Sequence, residues 1–124
     1  MFKQTILIYI LILMLTFFNN ASSDNTKLFY DLEIKSITGV ELNLANMKDK
    51  TILLVNVASK CGFTKQYDEL QQLFDNFKHK GLIVIGVPSN QFGGQEPGSE
   101  NDIKNFCETN FNITFPMTDR KSVV

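Results

Sequence analysis

Two short apolar runs constrain this chain more than anything else in it: Thr51–Ala58 reads TILLVNVA and Leu82–Val87 reads LIVIGV. Each has the length of a strand and is too short for a helix. Both are nearly continuous and rich in β-branched residues, which predicts strands buried on both faces. Between them Tyr67, Leu70, Leu73, Phe74 and Phe77 recur at helical spacing, and Gly81 closes that segment. A strand, a helix and a second strand in that order make a parallel pair joined by a right-handed crossover. The expected architecture is α/β.

The flanks fit around that unit. Tyr30, Leu32 and Ile34 alternate on one parity, then Val40, Leu42 and Leu44 on another. Thr38-Gly39 stands between the two sets, so a β-hairpin is expected. Lys48–Lys50 forms a charged turn ahead of the first run. Downstream, Ser99-x-x-Asp102 resembles a capping box opening a helix whose apolar face is Ile103, Phe106 and Cys107.

The 124 residues allow one domain, and a hydrophobic share of 44% with 20% charged is that of an ordinary globular protein. A net charge of −1 without a basic cluster leaves no electrostatic footprint for nucleic acid. The first residues stand apart. Lys3 precedes TILIYILILMLTFF, and small residues Ala21 and Ser23 follow it, the layout of a secretory signal peptide over 1–23. The run is short for a span of ~20 residues, so no stable membrane anchor is expected. The domain proper is then 24–124, in a secreted protein or one of the ER lumen, where disulfides are permitted. A single histidine, His79, and two distant cysteines are too few for a zinc site, so no metal is expected.

Those cysteines are Cys61 and Cys107. Cys61 follows the first apolar run directly and precedes the helical segment. Open α/β sheets bind ligands outside the carboxyl ends of their strands. Amide groups at a helix start, helped by Lys60 and Lys65, would favour the thiolate, which is the reactive form. The bland alternative is a buried structural cysteine, or one half of a Cys61–Cys107 disulfide contributing about 4 kcal/mol by closing its loop. Position alone leaves both open. The stretch Pro88–Gly98, PSNQFGGQEPG, follows the second run and so lies on the same edge of the sheet. Its glycines permit unusual backbone angles, and Asn90, Gln91 and Gln95 offer neutral hydrogen-bonding groups.

Together NVASKCGFT and PSNQFGGQEPGSENDIKNF resemble the glutathione peroxidase family, and FPMTD fits the strand that follows them. The resemblance extends from about Phe29 to Asp119. It implies a thioredoxin-like fold and a thiol peroxidase reducing hydrogen peroxide or organic hydroperoxides, an oxidative-stress activity. Cys61 falls at the peroxidatic position, where some members carry selenocysteine. Gln95, rather than Gln91, falls at the glutamine that hydrogen-bonds the active sulfur. Cys107 matches a resolving cysteine of several cysteine-type members; its alternative is a small apolar filler beside Ile103 and Phe106. No bound cofactor is implied. The reductant is glutathione or a thioredoxin-like or disulfide-isomerase-like protein. Arg120 is the only arginine, which disfavours a set of arginines gripping glutathione carboxylates and so favours a protein dithiol. The family completes its site with a Trp-Asn pair in a later segment. This sequence contains no tryptophan and ends at DRKSVV, so the domain is expected to be incomplete at the C-terminus. A second expectation follows: a non-catalytic or unstable product with an apolar face and a strand edge uncovered.

Overall fold

The computed structural model describes residues 29–120. The proposed leader over 1–23, its cleavage site after Ser23 and the last four residues lie outside the described residues. The central pair is β3, Thr51–Val57, and β4, Leu82–Pro88. They run parallel in continuous register from Thr51 opposite Leu82 to Val57 opposite Pro88. The connecting helix α1 spans Gln66–Phe77 and tightens into a 3-10 turn over Lys78–Lys80. Gly81 then takes φ 93°, a left-handed conformation that releases the chain into β4.

The segment after the second helix adds a third strand position. Gly86 N–H donates to the Pro116 carbonyl at 2.9 Å, and Thr118 N–H donates to the Gly86 carbonyl at 2.8 Å. On its far side Ile37 N–H donates to Met117 and Asp119 N–H to Lys35. Residues 116–119 thus bridge β4 to the N-terminal hairpin, giving a mixed sheet. Gly86 is where the sheet is tightest on the backbone: a Cβ there would sit 3.2 Å from both Met117 Cγ and Phe115 Cε2, so those side chains would have to give slightly.

The hairpin is shorter than its alternation suggests. β1 is only Ile34–Lys35 and β2 only Glu41–Leu42, paired antiparallel. Leu32 and Val40 are exposed, because nothing among the described residues covers them.

The second helix α2, Glu100–Phe111, starts at the expected capping box: Asp102 N–H donates to Ser99 Oγ at 3.2 Å and Ser99 N–H to Asp102 Oδ2 at 2.9 Å. Asn112 ends it in a left-handed conformation. Both helices pack on one face of the sheet. Val57 and Val84 meet Tyr67 of α1, Ile103 and Cys107 of α2, and Ile113, Phe115 and Met117. Each buried aliphatic of this size contributes ~1.5–3 kcal/mol relative to exposure. Tyr67 and Phe111 rings lie 5.2 Å apart, linking the helices. Gln71 adds a polar clasp, donating from Nε2 to Thr114 Oγ1 at 2.8 Å and accepting from Thr114 N–H at 2.9 Å. Leu73 and Phe77, expected on the buried stripe of α1, are instead exposed; the inward stripe is Tyr67, Leu70, Gln71 and Phe74.

The expectation of strands buried on both faces holds unevenly. Ile85 in β4 is buried, whereas Leu54 in β3 is 53% exposed. The reason is lateral position. β4 is flanked on both sides, while β3 is the outermost strand among the described residues and has helices over one face only.

Candidate active site

Cys61 lies just past the carboxyl end of β3, in a turn that Thr64 organises. Cys61 N–H donates to Thr64 Oγ1 at 3.0 Å, and that hydroxyl lies 3.0 Å from the Ala58 carbonyl and 2.8 Å from the Cys61 carbonyl. One side chain therefore stitches both ends of the turn together. Gln66 N–H to Phe63 and Tyr67 N–H to Thr64 continue as tight turns into α1. The helix itself begins at Gln66, five residues beyond the sulfur, so Cys61 is not within the first helical turn as expected. The sulfur instead accepts one amide, Phe63 N–H, at 3.5 Å.

Cys61 is half-buried and opens onto a cleft of about 70 Å³ between Val57, Ala58, Phe63, Tyr67 and Leu70. That is room for about two water-sized molecules. Phe63, at the lip, is 72% exposed.

The second loop is held against the first through backbone. Lys60 N–H donates to the Gln95 carbonyl at 2.9 Å. Gly93 and Gly94 take φ 67° and 65°, turning the loop back on itself as its glycines suggested. Gln95 is thus beside the Cys61 turn and half-buried. Its side-chain amide makes no hydrogen bond to the Cys61 sulfur among the described residues. Gln91 is exposed, farther up the loop.

Cys107 is placed elsewhere. Its thiol is 1% exposed inside the core, and both cysteines are free, so a standing disulfide is not present. Burial pushes the Cys107 thiol up to about 11; the Tyr67 hydroxyl pulls the other way, while Glu96 and Glu108 add to the rise. Burial also drives the Tyr67 phenol well above its ordinary range, with the charge of Cys107 next in weight. A buried cysteine whose thiol is raised in this way is a poor nucleophile.

One residue escaped the reading of the loop. Glu96, between Gln95 and Pro97, is 1% exposed, yet its Oε2 accepts Ser59 N–H at 2.8 Å. Its own N–H donates to Asn90 Oδ1 at 2.9 Å, and Arg120 donates to its carbonyl at 3.1 Å. Burial raises its carboxyl pKa, opposed by the Ser59 hydrogen bond and then by the charges of Arg120 and Lys60. The available signal was a lone acid in an otherwise neutral loop.

Comparison with known proteins places this geometry. The family model described as glutathione peroxidase matches residues 29–124. The glutathione peroxidase-like peroxiredoxin 2 of Saccharomyces cerevisiae is 48% identical over 98 residues, 79% of this chain and 60% of that protein. The hydroperoxy fatty acid reductase gpx1 of Synechocystis is 44% identical over 103 residues, 83% of this chain and 60% of its own. Among solved structures, that of Trgpx in its apo form aligns with a TM-score of 0.53 and 32% identity, covering 74% of this chain and 52% of that one. The chain spans about 60% of the length of the curated relatives it matches. The described fold is thioredoxin-like, with a cysteine turn and a glutamine loop meeting at its sheet edge. On the extent of the match, this chain belongs to the glutathione peroxidase family.

Proposed function

We propose that the chain carries the peroxidatic half of a thiol peroxidase. The observation that supports this most is Cys61 itself: a free, half-buried sulfur beyond a parallel strand, facing a small cleft and receiving a backbone N–H. The Cys61 thiolate attacks the distal oxygen of a hydroperoxide. An S–O bond forms, the O–O bond breaks, and the leaving alkoxide or hydroxide takes a proton to become alcohol or water. Sulfur is oxidised by two electrons to sulfenic acid. Phe63 N–H stabilises the negative sulfur before attack, and the Gln95 amide, one loop away, is the second donor once substrate draws the loops together.

Cys107 then resolves the sulfenic acid, displacing water and forming a Cys61–Cys107 disulfide. Because Cys107 starts buried, this step requires α2 to open. A dithiol protein of thioredoxin type returns both cysteines to thiols, with glutathione as the competing reductant. The cleft suits hydrogen peroxide or the hydroperoxide end of a longer molecule, and exposed Phe63 gives an apolar chain a surface to lie on. Export through residues 1–23 belongs to the same proposal, with Asp24 as the mature N-terminus.

The test is peroxide consumption with a sulfenic-acid probe. Cys61→Ser abolishes both signals; Cys107→Ser leaves the first oxidation intact. Gln95→Ala slows oxidation by about 10- to 100-fold, the loss of one preorganised donor, whereas Gln91→Ala does not. Equal labelling of both thiols in the unmutated protein would remove Cys61 from its assigned role.

A further inference from the structure

Glu96 is a charged group almost wholly removed from water, and nothing in the proposed reaction uses it. Its surroundings are specific. The carboxylate takes the amide of Ser59, two residues before Cys61. The peptide beside it, at Gln95, takes the amide of Lys60, one residue before Cys61. Two successive N–H groups of the cysteine turn are therefore bound by two successive residues of the glutamine loop. Asn90 from the start of that loop and Arg120 from beyond α2 fix the Glu96 backbone in turn. Arg120 is itself drawn toward Glu100, 3.9 Å away.

We propose that Glu96 is a positioning residue, a buried carboxylate clamp that sets the height of Cys61 relative to Gln95. The inference rests on Cys61 being the peroxidatic residue. The carboxylate touches neither the sulfur nor the cleft; it acts through the Ser59 amide. Charge-assisted hydrogen bonds are shorter and stronger than neutral ones, so the ionised form holds the turn more firmly than the protonated form. The charges facing it are Lys60 on the cysteine turn and Arg120 after α2, with the Tyr67 hydroxyl and Cys107 thiol on the core side. The Ser59 hydrogen bond and then the first two of these charges favour ionisation. Burial outweighs them, so the clamp weakens on acidification sooner than an ordinary surface glutamate would. A leucine would fill such a site without the cost of burying a charge; what the carboxylate adds is a hold on the Ser59 amide, beside the Lys60 amide that the Gln95 carbonyl already binds.

Two measurements on the same chain test this. The first is the rate constant for Cys61 oxidation by hydrogen peroxide, followed by sulfenic-acid trapping from mildly acidic to neutral pH. The second is the amide spectrum of the reduced protein over the same range. Glu96→Ala lowers the oxidation rate by about 10- to 100-fold, the scale of a small misplacement of a reacting group, and shifts the Ser59 and Lys60 amide signals. Glu96→Gln, which keeps an acceptor oxygen, restores the rate at neutral pH to within about threefold of the parent. In the parent, the Ser59 amide titrates with Glu96; in Glu96→Gln it does not. The ratio of parent to Glu96→Gln rates falls toward one as pH drops through that titration. A ratio that stays constant with pH, or a folded Glu96→Ala that oxidises at the parent rate, overturns the clamp. If Glu96→Ala does not fold, the rate ratio for Glu96→Gln decides. If the parent forms no sulfenic acid at Cys61 while the Ser59 titration is present, the peroxidatic assignment fails and the clamp is disproved as a catalytic device.

Discussion

The proposed resolution by Cys107 can be given a magnitude from its burial. The thiol stands at about 11 against an ordinary value of 9.0. A rise of that size leaves a thiolate fraction roughly 100-fold smaller at neutral pH. A more basic thiolate is intrinsically more nucleophilic, and with a Brønsted slope of about 0.4–0.5 this returns a factor of roughly 6 to 10. The net penalty is only about tenfold. Access is the larger barrier, because Cys107 is buried in the core cluster that also holds Tyr67, Ile103 and Phe115. Resolution in the native state should therefore be limited by opening of α2. The perturbation is Ser99→Ala, which removes the capping box at the start of that helix. Loss of such a cap costs about 1 kcal/mol, raising the opened population and hence the resolution rate by about fivefold. The assay mixes reduced protein with one equivalent of peroxide. Sulfenic-acid probe and mass spectrometry then follow decay of the Cys61 sulfenic acid and growth of the disulfide. Cys61 oxidation should be unchanged in Ser99→Ala while decay accelerates. Decay that is unchanged or slower in Ser99→Ala would show that Cys107 reacts from the closed helix, and the opening argument would be wrong.

Two other outcomes are expected. Because the folded-state Cys107 value is raised, its contribution to stability is whole below about pH 9 and is lost as pH rises toward about 11. Urea melts should show that alkaline decline in the parent and a flatter profile in Cys107→Ala, whatever the cavity costs at neutral pH. Gln71→Ala removes the clasp to the Thr114 amide and hydroxyl between α1 and the chain after α2; because Thr114 is exposed and water can replace those bonds, chemical denaturation should register a loss of only about 0.5–1.5 kcal/mol.

Much of this protein is legible without coordinates. The two apolar runs became β3 and β4, the helical spacing between them became α1 with Gly81 at its stop, and Ser99 and Asp102 formed the capping box. These are local properties, set by side-chain period and by which residues cap or turn a chain, so they need only neighbours in sequence. Cys61 and Gln95 stand beside each other for a related reason: both follow parallel strands, and parallel strands deliver their following loops to the same edge. What required the tertiary structure is burial and contact across long separations. An apolar run cannot say whether its strand will be flanked, so Leu54 lies open while Ile85 does not. A cysteine before a helical pattern does not reveal how many turns intervene, and the sulfur meets one amide instead of several. A resolving role for Cys107 is an expectation from its motif, and only the packed core raises its thiol and hides it. Glu96 reads in sequence as an ordinary solvated acid. It becomes a buried clamp only when Ser59, 37 residues earlier, is folded against it, because desolvation is decided by what surrounds a group in space.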